Sequence, residues 1–142
     1  MQEVKIKIRG LQAQGTEQEE PIEVVSVGQM YEEDGFVCIK YDEITREEEN
    51  GLVQTEKNLL KIKDTQVEIM KSGPSANHLV FVPNRTTFTY YSTPVGELEV
   101  SIHTSQVEKK DYQSGFLLEL QYELEMNQMF ISTCNVGIAV EY

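Results

Sequence analysis

Residues 116–126 read FLLELQYELEM, with Phe116, Leu118, Leu120, Tyr122, Leu124 and Met126 at alternate positions and Glu119, Gln121, Glu123 and Glu125 between them. A side-chain period of two belongs to a β-strand with one dry and one wet face. Residues 130–140 repeat it, setting Phe130, Cys134, Val136, Ile138 and Val140 against Thr133, Asn135 and Gly137. The four residues Met126 to Met129 between them suit a hairpin connection, so the C-terminus is predicted to be two antiparallel strands.

The same period recurs along most of the chain. Val4, Ile6 and Ile8 alternate with Lys5, Lys7 and Arg9, and Leu98, Val100 and Ile102 alternate with Glu97, Glu99, Ser101 and His103. Residues 22–31 and 36–41 are dense in β-formers, with Gly28 expected at a bend or bulge, and Asp34-Gly35 between them is a hairpin signal. Residues 59–71 read as two strands joined around Lys63-Asp64-Thr65. The apolar run Leu79 to Val82 is expected to be well covered, and the polar stretch 42–58 suits a short helical turn or a charged hairpin end. No segment carries a convincing helical pattern. About ten short-linked strands in 142 residues make an antiparallel meander that must dispose of its edges, and closure into a barrel removes them. A two-sheet sandwich has the same alternation and is the competing architecture. One domain spanning residues 1–142 is expected from the length.

Twelve Lys and Arg against 24 Asp and Glu leave a formal charge of -12. Such a field repels polyphosphate and anionic lipid, so neither nucleic acid nor a membrane surface is an expected partner. The longest basic cluster, Lys5, Lys7 and Arg9, falls on one strand face and reads as a solvated face. With no apolar run of membrane-spanning length and no signal-peptide core in MQEVKIKIRG, the expected location is cytoplasmic. Cys38 and Cys134 form no Cys-x-x-Cys pair and are expected to be buried or half-buried free thiols. His78, read as a turn residue, and His103, read as solvent-facing, have no partner at metal-ligand spacing, so no metal or cofactor is predicted. Nucleophile and phosphate-loop motifs are absent too, and an enzyme, resting on Glu97, Glu99 or His103, is the minority reading.

The stretch FTYYSTPVGELEV, residues 88–100, carries the most specific signal. Pro94 restricts Thr93 to extended geometry and Gly96 supplies freedom for a reversal, which sets the register that puts Leu98, Val100 and Ile102 on the core face. The order Met70-Lys71-Ser72-Gly73, Leu79 to Val82, then Tyr91-Ser92-Thr93-Pro94-Val95-Gly96-Glu97-Leu98 resembles the YwiB-like family of small bacterial proteins of unknown function. Tyr31 to Phe36 and Leu118 to Leu124 agree as well, so the likeness spans nearly the whole chain. It implies an all-β fold, a single antiparallel calycin/lipocalin-like β-barrel of about 8–10 strands. It implies no catalytic residues. Drawn mainly from this resemblance, the expected function is non-enzymatic binding of a small, partly apolar molecule in the barrel or its mouth. Arg85, Phe88, Tyr90 and Tyr91, clustered around the middle hairpin, are the candidate contacts; Phe88 and Tyr90 share one parity and Tyr91 the other. A protein-interaction module, as a homodimer or through an exposed strand edge, is the alternative.

Overall fold

Alternation along the chain becomes ten strands in a computed structural model, which describes residues 1–12, 22–46, 51, 53–72, 77–93 and 96–142. They are β1 (Gln2–Gln12), β2 (Ile22–Glu33), β3 (Phe36–Arg46), β4 (Val53–Lys63), β5 (Gln66–Ser72), β6 (Asn77–Phe81), β7 (Arg85–Thr93), β8 (Gly96–Tyr112), β9 (Gly115–Met126) and β10 (Met129–Glu141). All belong to one antiparallel sheet in the order β6-β5-β4-β3-β2-β1-β10-β9-β8-β7. A sandwich is thereby excluded: β1 pairs with β10, so one continuous ladder curls around a single interior.

Only β6 and β7, neighbours in the chain, stand at the two ends of this ladder. They are brought together by a tight turn in which Arg85 N–H donates to Val82 O at 3.1 Å, and by the Thr87 hydroxyl, which donates to Val80 O. The result is a nearly closed barrel with one seam. Two hairpins have left-handed geometry at both central residues, Asp34-Gly35 (φ 54° and 81°) and Asn127-Gln128 (φ 50° and 68°), the backbone twist that fits adjacent antiparallel strands. β2 pairs with β1 on both sides of Gly28 but pairs with β3 only from Gly28 onward. Pro94 and Val95 lie outside the described residues. Thr93 nevertheless pairs with Gly96, and Val100 and Ile102 are buried on the core side as the register argument requires.

Two bulges change the side-chain count. In β10 the register steps from Phe130↔Glu125 to Ser132↔Leu124, which leaves Ile131 unpaired. Phe130, expected on the dry face by simple parity, therefore sits opposite the outward Glu125 and is 61% exposed. In β8 the step between Thr104 and Gln106 moves the inward set from Ile102 and Thr104 to Val107. His78 also departs from expectation: it lies within β6, opposite Met70, with Nε2 2.9 Å from Glu68 Oε1. Asparagine, histidine and the preceding Ser-Gly-Pro-Ser look like a loop in sequence, but pairing with β5 draws the strand back to Asn77.

Candidate functional site

The interior is filled unevenly. Toward the end bearing the 34–35, 64–65, 83–84 and 113–114 turns, Ile6, Ile39, Ile62, Val67, Phe116, Leu118, Ile138 and Val140 are buried against one another as a packed core. Toward the other end the inward positions of β1, β2 and β10 are Gly10, Val24, Ser132 and Cys134, side chains too small to meet across the barrel. A cavity of about 610 Å³ remains. Its walls are Ile8 and Val136, Ile69, Leu79 and Phe81 from β5 and β6, and Leu98, Val100, Leu120, Leu124 and Met126 from β8 and β9. A second depression, about 580 Å³, lies against Lys5, Val25, Val27 and Asp42 on the outside of the wall. It is bounded by exposed valines, not by the concave interior, and encloses less of any guest.

Polar groups enter the cavity at few places. Tyr41, on the inward face of β3, pairs with Asn58 of β4, and Asn58 pairs with Lys71 of β5, so the three form one transverse row, of which Tyr41 and Lys71 line the cavity. Tyr41 and Asn58 are 5% and 3% exposed and Lys71 is half-buried. One step deeper, Ile39, Leu60, Ile69 and Leu79 pair in the same order and make an apolar row. Across the cavity, Ser132 Oγ lies 3.4 Å from Cys134 Sγ, and Phe81 and Tyr122 have ring centroids 4.8 Å apart.

The residues nominated from sequence do not come together at this cavity. Phe88 and Tyr90 are 58% and 56% exposed on the outer face of β7, because Thr87 and Thr89 pair with the core residues Ile102 and Val100. Arg85 is exposed beside the β6–β7 turn, opposite Thr104, and is not among the lining residues. Tyr91 pairs with Leu98, which lines the cavity. Tyr41, Asn58 and Lys71 escaped sequence reasoning. Their signal was parity: Asn58 is in step with Leu60 and Ile62, and Lys71 with Val67 and Ile69.

His103 is half-buried on the outside of β8. Its Nδ1 lies 2.6 Å from Thr86 Oγ1, and Nε2 is 3.2 Å from Glu125 Oε1, close enough for ion pairing but out of hydrogen-bond alignment. This hydroxyl–imidazole–carboxylate series crosses the outer face of β7, β8 and β9. Among the described residues no group of three or more His, Cys, Asp or Glu side chains is placed to hold a metal ion, and no helix is long and apolar enough to cross a membrane.

Cys38 is on the outward side of β3 yet almost fully covered, with Lys61 opposite it and Tyr31 across from it on β2. Burial pushes its thiol above the ordinary range, only partly offset by the Lys61 ammonium, and burial likewise raises Tyr31. The folded chain thus keeps the Cys38 proton at a pH where the unfolded chain has lost it. This contribution to stability is complete below the ordinary thiol value near about pH 8.5 and declines as pH rises through the folded value. Urea unfolding between about pH 8.5 and 10 is expected to show that decline, and Cys38→Ala to flatten it. An unchanged slope in the variant would contradict this account.

Fold and interior together define a calycin-like barrel: a ten-stranded, nearly closed antiparallel sheet around an apolar chamber. Residues 6–138 match the family described as Domain of unknown function (DUF1934), and the chain belongs to that family. Among solved structures it is similar to the ywiB protein from Bacillus subtilis, with a TM-score of 0.77 and 22% identity over 98% of this chain and 90% of that one. No curated protein matches the sequence.

Proposed function

We propose that this protein is a non-enzymatic binding protein whose barrel holds a small, largely apolar molecule. The observation that carries the reading is the interior cavity of about 610 Å³. Small-molecule sites fall in the range of about 300–1,000 Å³, mostly apolar with a few placed polar groups. A barrel of this kind otherwise fills itself with side chains, and half of this one does. The described side chains at the other end leave room for a guest, whose apolar part would make there the dispersion contacts that a packed core supplies.

The test uses N-phenyl-1-naphthylamine, a neutral apolar fluorophore, in a chain that has no tryptophan of its own. Blue-shifted, enhanced emission with low-micromolar affinity is expected. Leu124→Trp, which fills the chamber from β9, is expected to weaken binding about tenfold or more, because that loss needs only about 1.4 kcal/mol and steric overlap costs about 1–3 kcal/mol. No enhancement with the unmodified protein, or equal binding by the filled variant, would refute the reading.

A further inference from the structure

Phe88 and Tyr90, candidate contacts in the sequence, stand on the outer wall, and strand pairing brings a third ring into line with them. Phe88 pairs with Ser101, Ser101 with Glu125 and Glu125 with Phe130, so one row crosses β7, β8, β9 and β10. At about 4.8 Å per strand the row spans about 14 Å, the length of about four residues of extended chain. Phe88, Tyr90 and Phe130 are 58%, 56% and 61% exposed, and Met129 beside Phe130 is 70% exposed. Single exposed rings are ordinary, but rings grouped on one face and rimmed by polar residues mark an interaction surface.

The charges around these rings have one sign. Glu99 pairs with Tyr90, Glu97 stands two residues before it, and Glu123 and Glu125 alternate along β9. No Lys or Arg occurs from Thr86 to Glu108 or from Asp111 to Tyr142; Arg85 opens β7 and Lys109-Lys110 lie toward the far end of β8. Glu125 is 3.2 Å from His103 Nε2, whereas Glu97, Glu99 and Glu123 form no ion pair among the described residues. Aromatic faces and carboxylates both attract a cation. A guanidinium suits both, because it stacks on a ring and meets a carboxylate through two donors. Nucleic acid, an anionic lipid surface or the same face of a second copy would bring like charge here. We infer that the outer wall of β7 to β10 docks an arginine-bearing segment of another protein. Apolar side chains of that segment lie against Phe88, Tyr90 and Phe130, and its guanidinium groups meet Glu97, Glu99 and Glu123.

The experiment titrates the full chain into a rhodamine-labelled octapeptide of alternating Arg and Leu, read by anisotropy, and into the same peptide with Glu in place of Arg. Only the arginine peptide is expected to bind. Raising the salt from about 0.01 to 0.15 M, which cuts the screening length from about 30 to 8 Å, should weaken it. Phe88→Ser combined with Phe130→Ser should weaken binding about tenfold or more, as loss of aromatic anchors does. Glu99→Gln combined with Glu123→Gln should weaken it about threefold or more, the scale of exposed ion pairs. Glu32→Gln combined with Glu33→Gln, an equal change of charge at the β2–β3 hairpin, should alter it less than about twofold. All six side chains are exposed or half-buried, so the urea midpoints of the variants should stay close to that of the unmodified chain. No binding of the arginine peptide, equal weakening by the Glu32 and Glu33 pair, or an affinity indifferent to Phe88 and Phe130 overturns the inference. A dimer seen by light scattering and abolished by the phenylalanine pair assigns the wall to a second copy and overturns it too. Binding of N-phenyl-1-naphthylamine in the chamber, on the other side of the wall, stands or falls separately.

Discussion

Gly115→Ala is expected to destabilise the barrel by about 2–5 kcal/mol, a large part of the ~5–15 kcal/mol that holds a domain folded. Gly115 opens β9 after the Gln113-Ser114 turn and pairs with Tyr112 on one side and Glu141 on the other. Its φ is 156°, and a methyl group there would lie 1.8 Å from the Val140 carbonyl oxygen and 3.1 Å from Glu141 Cα. Neither obstacle is the movable end of a side chain. Relief requires β10 to shift at Val140, a residue buried in the packed half of the core, and would also disturb the bond from Tyr142 N–H to Ser114 O at 3.0 Å. Gly137→Ala is the matched control: its nearest neighbour is Arg9 O at 4.0 Å, and the same change there should be neutral or stabilise by up to about 1 kcal/mol through reduced freedom of the unfolded chain. Urea midpoints of the two variants that move by equal amounts would contradict the geometry.

The contrast between these glycines shows what is legible in sequence. Both fall in stretches of clear period two, and only the three-dimensional approach of β10 separates them. Alternation in Val4 to Ile8, Leu98 to Ile102 and Phe116 to Met126 prescribes which face is dry, because burying apolar surface outweighs any local preference. Bulges are invisible to that reasoning. Parity carried through Ile131 put Phe130 indoors, and only cross-strand register, a property of two strands at once, corrects it. The Tyr41, Asn58 and Lys71 row was hidden for the same reason: each residue is in step with its own strand's dry face, but their adjacency comes from the β3–β4 and β4–β5 registers. Aromatic density around Phe88 and Tyr90 drew attention to the opposite side of the wall. Strand pairing with the Val100 and Ile102 face, not residue type, decides which side of β7 is inside.

Phe81→Ala is expected to cost about 3–5 kcal/mol, the range for deleting a buried aromatic ring, and to loosen the barrel at its seam before elsewhere. β6 is five residues long, and at the end of the ladder its backbone pairs only with β5. Phe81 is 1% exposed, and its ring lies against Tyr122 of β9 with centroids 4.8 Å apart and planes inclined at 52°. That contact reaches across the interior and ties the last strand of one half to a central strand of the other. Beside it the Thr87 hydroxyl holds Val80 O, so packing and hydrogen bonding close the seam at adjacent residues. Removing the ring enlarges the existing chamber and deletes the ring contact with Tyr122. Amides of β5 and β6 should then exchange by a sub-global opening while β9 and β10 stay protected. A cycle between Phe81→Leu and Tyr122→Leu isolates the ring pair, with an expected coupling of about 0.5–1.5 kcal/mol. Should Phe81→Ala cost no more than Leu79→Ala, whose side chain is only half-buried on the same strand, the seam is held by the Val82–Arg85 turn and not by the aromatic contact.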